Sequence, residues 1–207
     1  KNGVEPVYSE LIYENGKYEI DFEDFEKKAS EEKVKIFILC NPHNPGGRVW
    51  TREELTKLGE ICLKHKVIIL SDEIHRDLVY KNYIYTPIAS ISEEILMNSI
   101  TCTAPSKTFN IAGLKVSNII IANEELRKKV NRSLNINEVI EPNVFGIEAL
   151  IAAYSEGEEW LNQMLEYLEG NVNYLVDYVN ENIPELKVMI PEGTYLVWID
   201  CQNLKIS

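Results

Sequence analysis

Apolar residues in this chain fall into short runs divided by polar stretches, and the runs follow two different periods. Residues 8–20 alternate apolar and polar on either side of Glu14-Asn15-Gly16-Lys17, the pattern of a β-hairpin closed by an Asn-Gly turn. Asp21 follows as the N-cap of a short helix expected to run through about Ala29. Val34–Cys40 is almost continuously apolar, as a strand buried on both faces of a parallel sheet would be. Val67–Leu70, Ile100–Thr103 and Val116–Ala122 supply three more such runs. Between the first two, Thr51-Arg52-Glu53-Glu54 forms a capping box, and Leu55, Leu58, Ile61 and Cys62 then recur on one helical face. Strands alternating with helices predict an α/β domain with a mostly parallel sheet and right-handed crossovers.

Past Asn123 the texture becomes helical. Glu124–Arg132 reads as a short helix, and Pro142 as the opening of another whose Ala149, Ile151 and Ala152 form a compact apolar face. A long helix is expected over Glu158–Asn182, with Trp160, Leu161, Met164, Leu165, Leu168, Val172, Leu175, Val176 and Val179 turned to the core and Pro184 as its stop. Residues 185–207 read as two strands separated by Pro191-Glu192-Gly193-Thr194. The expected division is therefore 1–135 as part of a large domain, 136–184 as a helical segment, and 185–207 as the start of a small α+β domain.

Composition narrows the function classes. Acidic residues outnumber basic ones by 33 to 21, for a formal net charge of −12. Such a chain repels polyanions, so no nucleic-acid partner is expected, and its acidic surface is a solvated one. No apolar run is long enough to span a bilayer, so no membrane partner is expected either. Cys40, Cys62, Cys102 and Cys201 lie scattered in apolar stretches without a C-x-x-C pair. They are expected to be buried, reduced thiols of a cytoplasmic protein. His43, His65 and His75 lack metal-ligand spacing, so no metal is expected. The chain opens at Lys1 without methionine and closes just after the strand-like run Tyr195–Asp200. It is expected to be a piece of a longer protein.

The candidate chemistry lies where three strands end. Asn44 follows the first run, Asp72 ends the second and Lys107 follows the third. In an open α/β sheet, ligands bind beyond the carboxyl ends of the strands, so parallel strands would bring all three to one edge. A lysine amine condenses with an aldehyde. A carboxylate opposite a pyridine nitrogen keeps it protonated, an asparagine amide can donate to a phenolate oxygen, and the hydroxyl of Ser106 can donate to a phosphate. These demands meet in pyridoxal 5′-phosphate (PLP) held as an imine. Singly, each residue has a plainer reading: Asn44–Gly47 as a turn, Asp72 as a cap, His75 as a satisfied polar group, Lys107 as a surface lysine. Their coincidence at three strand ends is what points to PLP.

Asn41-Pro-His-Asn-Pro-Gly-Gly47, Ser71-Asp-Glu-Ile-His75 and Ala104-Pro-Ser-Lys-Thr-Phe-Asn-Ile-Ala-Gly-Leu114 resemble the class I/II aminotransferases of PLP fold type I. The likeness is greatest to the MalY/PatB branch of cystathionine β-lyases, or C–S lyases. Tyr18–Phe22, Ala152–Tyr154, Glu159–Leu161 and Glu192–Trp198 extend it over nearly the whole chain. The resemblance implies a three-layer PLP transferase-like large domain, with Lys107 as the catalytic, cofactor-bonded lysine and Asp72 as the partner of the ring nitrogen. It implies Asn44 and His75 beside the phenolate oxygen, and Ser106 and Lys115 at the phosphate. Histidine at position 75, where many aminotransferases have tyrosine, favours the lyase branch. Ala104 stands where many relatives have serine. Lys115 stands where many have arginine, and it keeps the charge without the bidentate fork. The implied activity is β-elimination from an amino acid, with transamination as the alternative and a PLP-sensing regulatory domain as the reading from another class. A homodimer is implied for the full-length protein. The family's phosphate loop, its ring-stacking aromatic residue and its carboxylate-binding arginine would lie outside these residues, leaving the chain by itself catalytically incomplete.

Overall fold

The computed structural model describes residues 3–139 and 141–204. The last three residues of the expected small-domain segment, 205–207, lie outside that range. The chain opens with the hairpin β1 (Leu11–Glu14) and β2 (Lys17–Ile20), paired so that Glu14 faces Lys17. Both turn residues take positive φ, 52° at Asn15 and 78° at Gly16. That conformation matches the twist of the flanking strands and explains the choice of residues. Asp21 caps α1 (Phe22–Ala29), its carboxylate accepting from Glu23 N and Asp24 N.

Four strands form the main sheet in the order β3 (Ile36–Cys40), β4 (Ile68–Asp72), β5 (Ser99–Thr103), β6 (Asn118–Ile120). The first three are parallel and β6 is antiparallel to β5. A parallel return needs a long crossover. Residues 104–117 carry only one 3-10 turn, Ala112–Leu114, so the chain folds over the carboxyl edge and runs straight back. Lys115, at the end of that turn, sits in the left-handed region (φ 51°), and β6 is shorter at both ends than the run 116–122 suggests. Helix α2 (Arg52–His65) makes the β3–β4 crossover, opened by the full capping box of Thr51 and Glu54. A short α3 (Glu93–Met97), with no clear periodicity in the sequence, precedes β5. Leu39, Val67 and Ile69 of this region join Phe25 and Ala29 of α1, Leu55, Leu58, Ile61 and Cys62 of α2, and Ile95 of α3 in one buried cluster. Burial pushes the Cys62 thiol up to about 12, so it packs as a neutral, inert apolar group.

Helix α4 (Glu124–Ile136) runs a turn beyond the expected Arg132. The next helix does not open at Pro142. Asn143 caps it, its side chain accepting from Phe145 N (2.9 Å) and Gly146 N (3.3 Å), and α5 covers Val144–Glu156. Proline has no side-chain acceptor to offer as a cap, so asparagine sets the boundary. The apolar face expected there is not buried: Ile151 and Ala152 are exposed, and only Gly146 is buried, against Val116. Helix α6 (Glu158–Asn182) has the expected length, yet only Val172 and Val179 are buried and Trp160 is exposed. Among the thiols, Cys62 is buried, Cys40 and Cys102 are half-buried, and Cys201 is exposed, against the expectation that all four are buried. Cys201 follows the last strand, beyond the packed residues. No helix among the described residues is long and apolar enough to cross a membrane.

The two strands expected in this segment are β7 (Lys187–Met189) and β8 (Trp198–Asp200), and they pair antiparallel. The segment between them returns to the sheet domain. Glu192 N donates to Gly47 O (2.8 Å), Tyr80 N to Glu192 O (3.1 Å), and Thr194 N to Leu78 O (2.7 Å). The buried Glu192 carboxylate takes Arg48 Nε at 3.0 Å, Val49 N at 2.8 Å and Lys17 Nζ at 2.6 Å. Arg48 also reaches Glu54 (3.0 Å) and the Tyr18 carbonyl. One buried charge cluster therefore ties the hairpin, the loop after β3, the start of α2 and the inter-strand segment together.

Candidate active site

The parallel register puts Cys40, Asp72 and Cys102 side by side in one row at the carboxyl edge of the sheet. The ladder continues past that row, with Asn41 N donating to Asp72 O (3.0 Å) and Glu73 N to Cys102 O (2.9 Å). Asp72 thus stands on the middle strand of the three, flanked by the loop that carries Asn44 on one side and the loop that carries Lys107 on the other. Asn44, Asp72 and Lys107 are exposed and Ser106 is half-buried, whereas Asn41, Glu73, Thr103 and Thr108 around them are buried. Among the described residues neither Asp72 nor Lys107 is in an ion pair. The polar groups of this edge stand open above a closed floor.

Each loop is held by its own bonds. Asn44 N donates to Cys40 Sγ (3.4 Å), and that thiol donates to Pro42 O (3.3 Å). Burial raises the Cys40 pKa, which keeps the sulfur protonated and able to do both. Asp72 accepts from Ile74 N (3.2 Å), turning the chain towards His75. The His75 ring is buried, edge-on to Tyr195 at 5.5 Å, and its Nδ1 is buried with no hydrogen-bond partner among the described residues. Burial holds its pKa below the ordinary value; Asp72 pulls it up and Lys107 pushes it down. Both charges therefore act on this imidazole, which stays neutral at physiological pH. Lys115 is exposed at the end of the 112–114 turn. Among the described residues no hydrogen bond or ion pair links it to Ser106 or Lys107.

Asn44, Asp72, His75, Ser106 and Lys107 are thus gathered at one edge. Lys115 sits on the return limb of the Lys107 loop. Two further carboxylates support the edge and had no distinct sequence signal, because an acidic residue after a strand usually marks a cap or a solvated turn. Glu73 is buried and accepts from Ser71 Oγ (2.8 Å), Ile88 N (3.2 Å) and the Tyr85 hydroxyl. Burial raises its pKa despite these bonds. Asp77 accepts from Thr108 Oγ1 (3.1 Å), next to Lys107 in sequence. The donor set fits PLP. An amine, a carboxylate, an amide and a hydroxyl lie open on one strand edge, and a buried ring nitrogen beside them lacks a partner.

Comparison with known proteins follows the same line. The family model described as aminotransferase class I and II matches residues 1–206. Cystathionine beta-lyase PatB of Bacillus subtilis is 48% identical over 207 residues, covering 100% of this chain and 54% of the relative. Protein MalY of Escherichia coli is 35% identical over 188 residues, 90% of this chain and 47% of the relative. Among solved structures, cystalysin from Treponema denticola, which contains a pyridoxal 5′-phosphate cofactor, superposes with a TM-score of 0.95 at 40% identity. That match covers 97% of this chain and 51% of cystalysin. The PLP-bound C–S lyase from Staphylococcus hominis gives a TM-score of 0.86 at 44% identity, over 94% of this chain and 48% of that one. The chain spans about half the length of the relatives it matches.

Proposed function

The chain belongs to the aminotransferase class I and II family, and from that premise we propose that the protein containing it is a PLP-dependent C–S lyase of the cystathionine β-lyase kind. The observation that carries this reading is the row at the sheet edge, where Asp72 stands between the loops of Asn44 and Lys107, with His75 beside it. Bound PLP supplies an electron-withdrawing ring joined to the substrate amino group, which acidifies the substrate Cα–H.

The residues divide the remaining work. Asp72 would hold a proton at the ring nitrogen through its negative charge. Asn44 would donate its amide N–H to the phenolate oxygen, with the neutral His75 ring as a second group for that oxygen. Ser106 would donate its hydroxyl to the phosphate, and Lys115 would offset the phosphate charge. Lys107 Nζ would hold the cofactor, and once released from it would be the general base that takes the Cα proton. The β-sulfur substituent would leave as a thiol, and addition of one water to the remaining three-carbon enamine would give a keto acid and ammonia. The occupant is an amino acid with a β-thioether, in a cytoplasmic homodimer whose large domain includes residues 1–135.

Product analysis on the protein that contains this chain tests the reading. Incubated with PLP and cystathionine, it is expected to release pyruvate and ammonia, and Lys107→Ala to release neither. Amino-group transfer to an added keto acid, without β-elimination, would overturn the lyase assignment.

A further inference from the structure

The lysine loop is gripped from two sides by groups that the reaction itself does not use. Inside, the fully buried Thr108 donates its hydroxyl to Asp77 Oδ2 at 3.1 Å. The same oxygen takes the Tyr154 hydroxyl of α5 at 3.2 Å. Arg76 Nε lies 3.4 Å from the other oxygen, and the Arg76 guanidinium stacks 5.3 Å over the Tyr154 ring. Outside, Phe109 meets Tyr154 edge-on at 5.6 Å and lies 5.7 Å from Trp160 of α6. Asp77 thus joins three segments distant in sequence: the loop after β4, the lysine loop and α5.

We propose that Asp77 is a positioning residue that fixes the Lys107 amine through Thr108. This inference rests on the reading of Lys107 as the cofactor-bonded lysine. Lys107 is a long, exposed side chain whose rotamer freedom opposes any fixed geometry. Its backbone is flanked by a proline at 105 and by the Thr108 bond. Asp77 therefore supplies the only carboxylate bond to that stretch among the described residues. Thr108 cannot shift without breaking a charge-assisted bond, and the base of the Lys107 side chain is held to the same frame as Asp72, His75 and the β4 loop. The consequence is a high effective concentration of the Lys107 amine at a bound aldehyde. Attachment is the condensation of that amine with the aldehyde, with loss of one water, and it needs no other reactant.

The test uses the protein that contains this chain, with two probes. PLP carries the aldehyde; pyridoxine 5′-phosphate carries an alcohol in its place and binds without attachment. Borohydride fixation measures the fraction of bound PLP joined to Lys107. Thr108→Val, which keeps shape and removes the hydroxyl, is expected to lower the attachment equilibrium about tenfold, the effect of losing one hydrogen bond to a carboxylate. Its affinity for pyridoxine 5′-phosphate is expected to stay unchanged, and Thr108→Ser to restore attachment. Tyr154→Phe, on a partly open side of Asp77, is expected to shift attachment in the same direction by a smaller factor, and it serves if the valine variant does not fold. Equal losses for both probes would reduce Thr108 to a structural prop, and no loss of attachment in either variant would overturn the proposal. A borohydride-fixed adduct persisting in Lys107→Ala would instead show that the lysine itself had been misassigned.

Discussion

At the scale of single residues, Glu192 shows how a carboxylate can be held below its ordinary range while buried. Burial alone would raise its pKa; the Lys17 bond, the Val49 N–H and Arg48 outweigh it, and the net shift is downward. A carboxyl whose folded pKa is depressed adds stability at pH above the unfolded value, about 4.3. That contribution disappears as pH falls through the lower folded value. Glu192→Gln is therefore expected to cost about 1–3 kcal/mol at neutral pH, because it removes one of the two carboxylates that Arg48 reaches and leaves Glu54 as the other. The gap from wild type should narrow as pH drops below the ordinary carboxylate range, where wild type loses its advantage. Thermal midpoints of both proteins across a pH series check this; a gap that stays constant with pH would show that the charge is not the source. Gly47 belongs to the same cluster. Its φ of +66° favours glycine, and a Cβ there would lie 2.6 Å from Pro191 Cβ, so the inter-strand segment can approach only over a glycine.

At the scale of elements, the joint between α5 and α6 decides how the lysine loop is seated. A Cβ on Gly157 would lie 2.5 Å from Phe109 Cε1 and 2.3 Å from Ala153 O. Phe109 thus enters the elbow only because the side chain at 157 is missing. Gly157→Ala is expected to cost about 1–3 kcal/mol through overpacking and to reduce borohydride-fixed cofactor at Lys107 by displacing Phe109. Gly170, inside α6, has nothing within 4 Å of its would-be Cβ. Gly170→Ala is expected to raise stability by up to about 1 kcal/mol, the helix-propensity difference, with no effect on fixation. Measuring melting temperature and fixed cofactor in both variants separates the two glycines. Equal behaviour would mean that the elbow does not constrain the loop.

At the scale of the whole molecule, the assembly of the site depends on strand order, which local sequence does not encode. The hairpin, the Asp21 cap and the Thr51–Glu54 capping box were legible because each is a local bargain between a few neighbouring residues. The three apolar runs were legible as strands, and their ends pointed to Asn44, Asp72 and Lys107. The antiparallel turn of β6, the exposed side of α5 and the roles of Asp77 and Glu73 were not legible. They follow from which segments meet across long separations, as Thr108 meets Asp77 and Phe109 meets Trp160. Asp72 draws on both kinds of information, since its position in the middle of the row comes from the sheet and its chemistry from the residue. Asp72→Asn keeps the shape, the Ile74 N–H bond and the strand register, and removes only the charge proposed to face the ring nitrogen. Cofactor should remain attached to Lys107, because the lysine loop is held by Thr108 and Phe109 rather than by Asp72. Turnover should fall by about a hundredfold or more, the usual consequence of deleting a preorganised charge that is needed most in the transition state. Borohydride fixation and steady-state kinetics on the same preparation read the two effects separately. Retained turnover in Asp72→Asn would remove this carboxylate from the mechanism, whereas loss of fixation together with turnover would mean that the row at the sheet edge holds the cofactor as well as activating it.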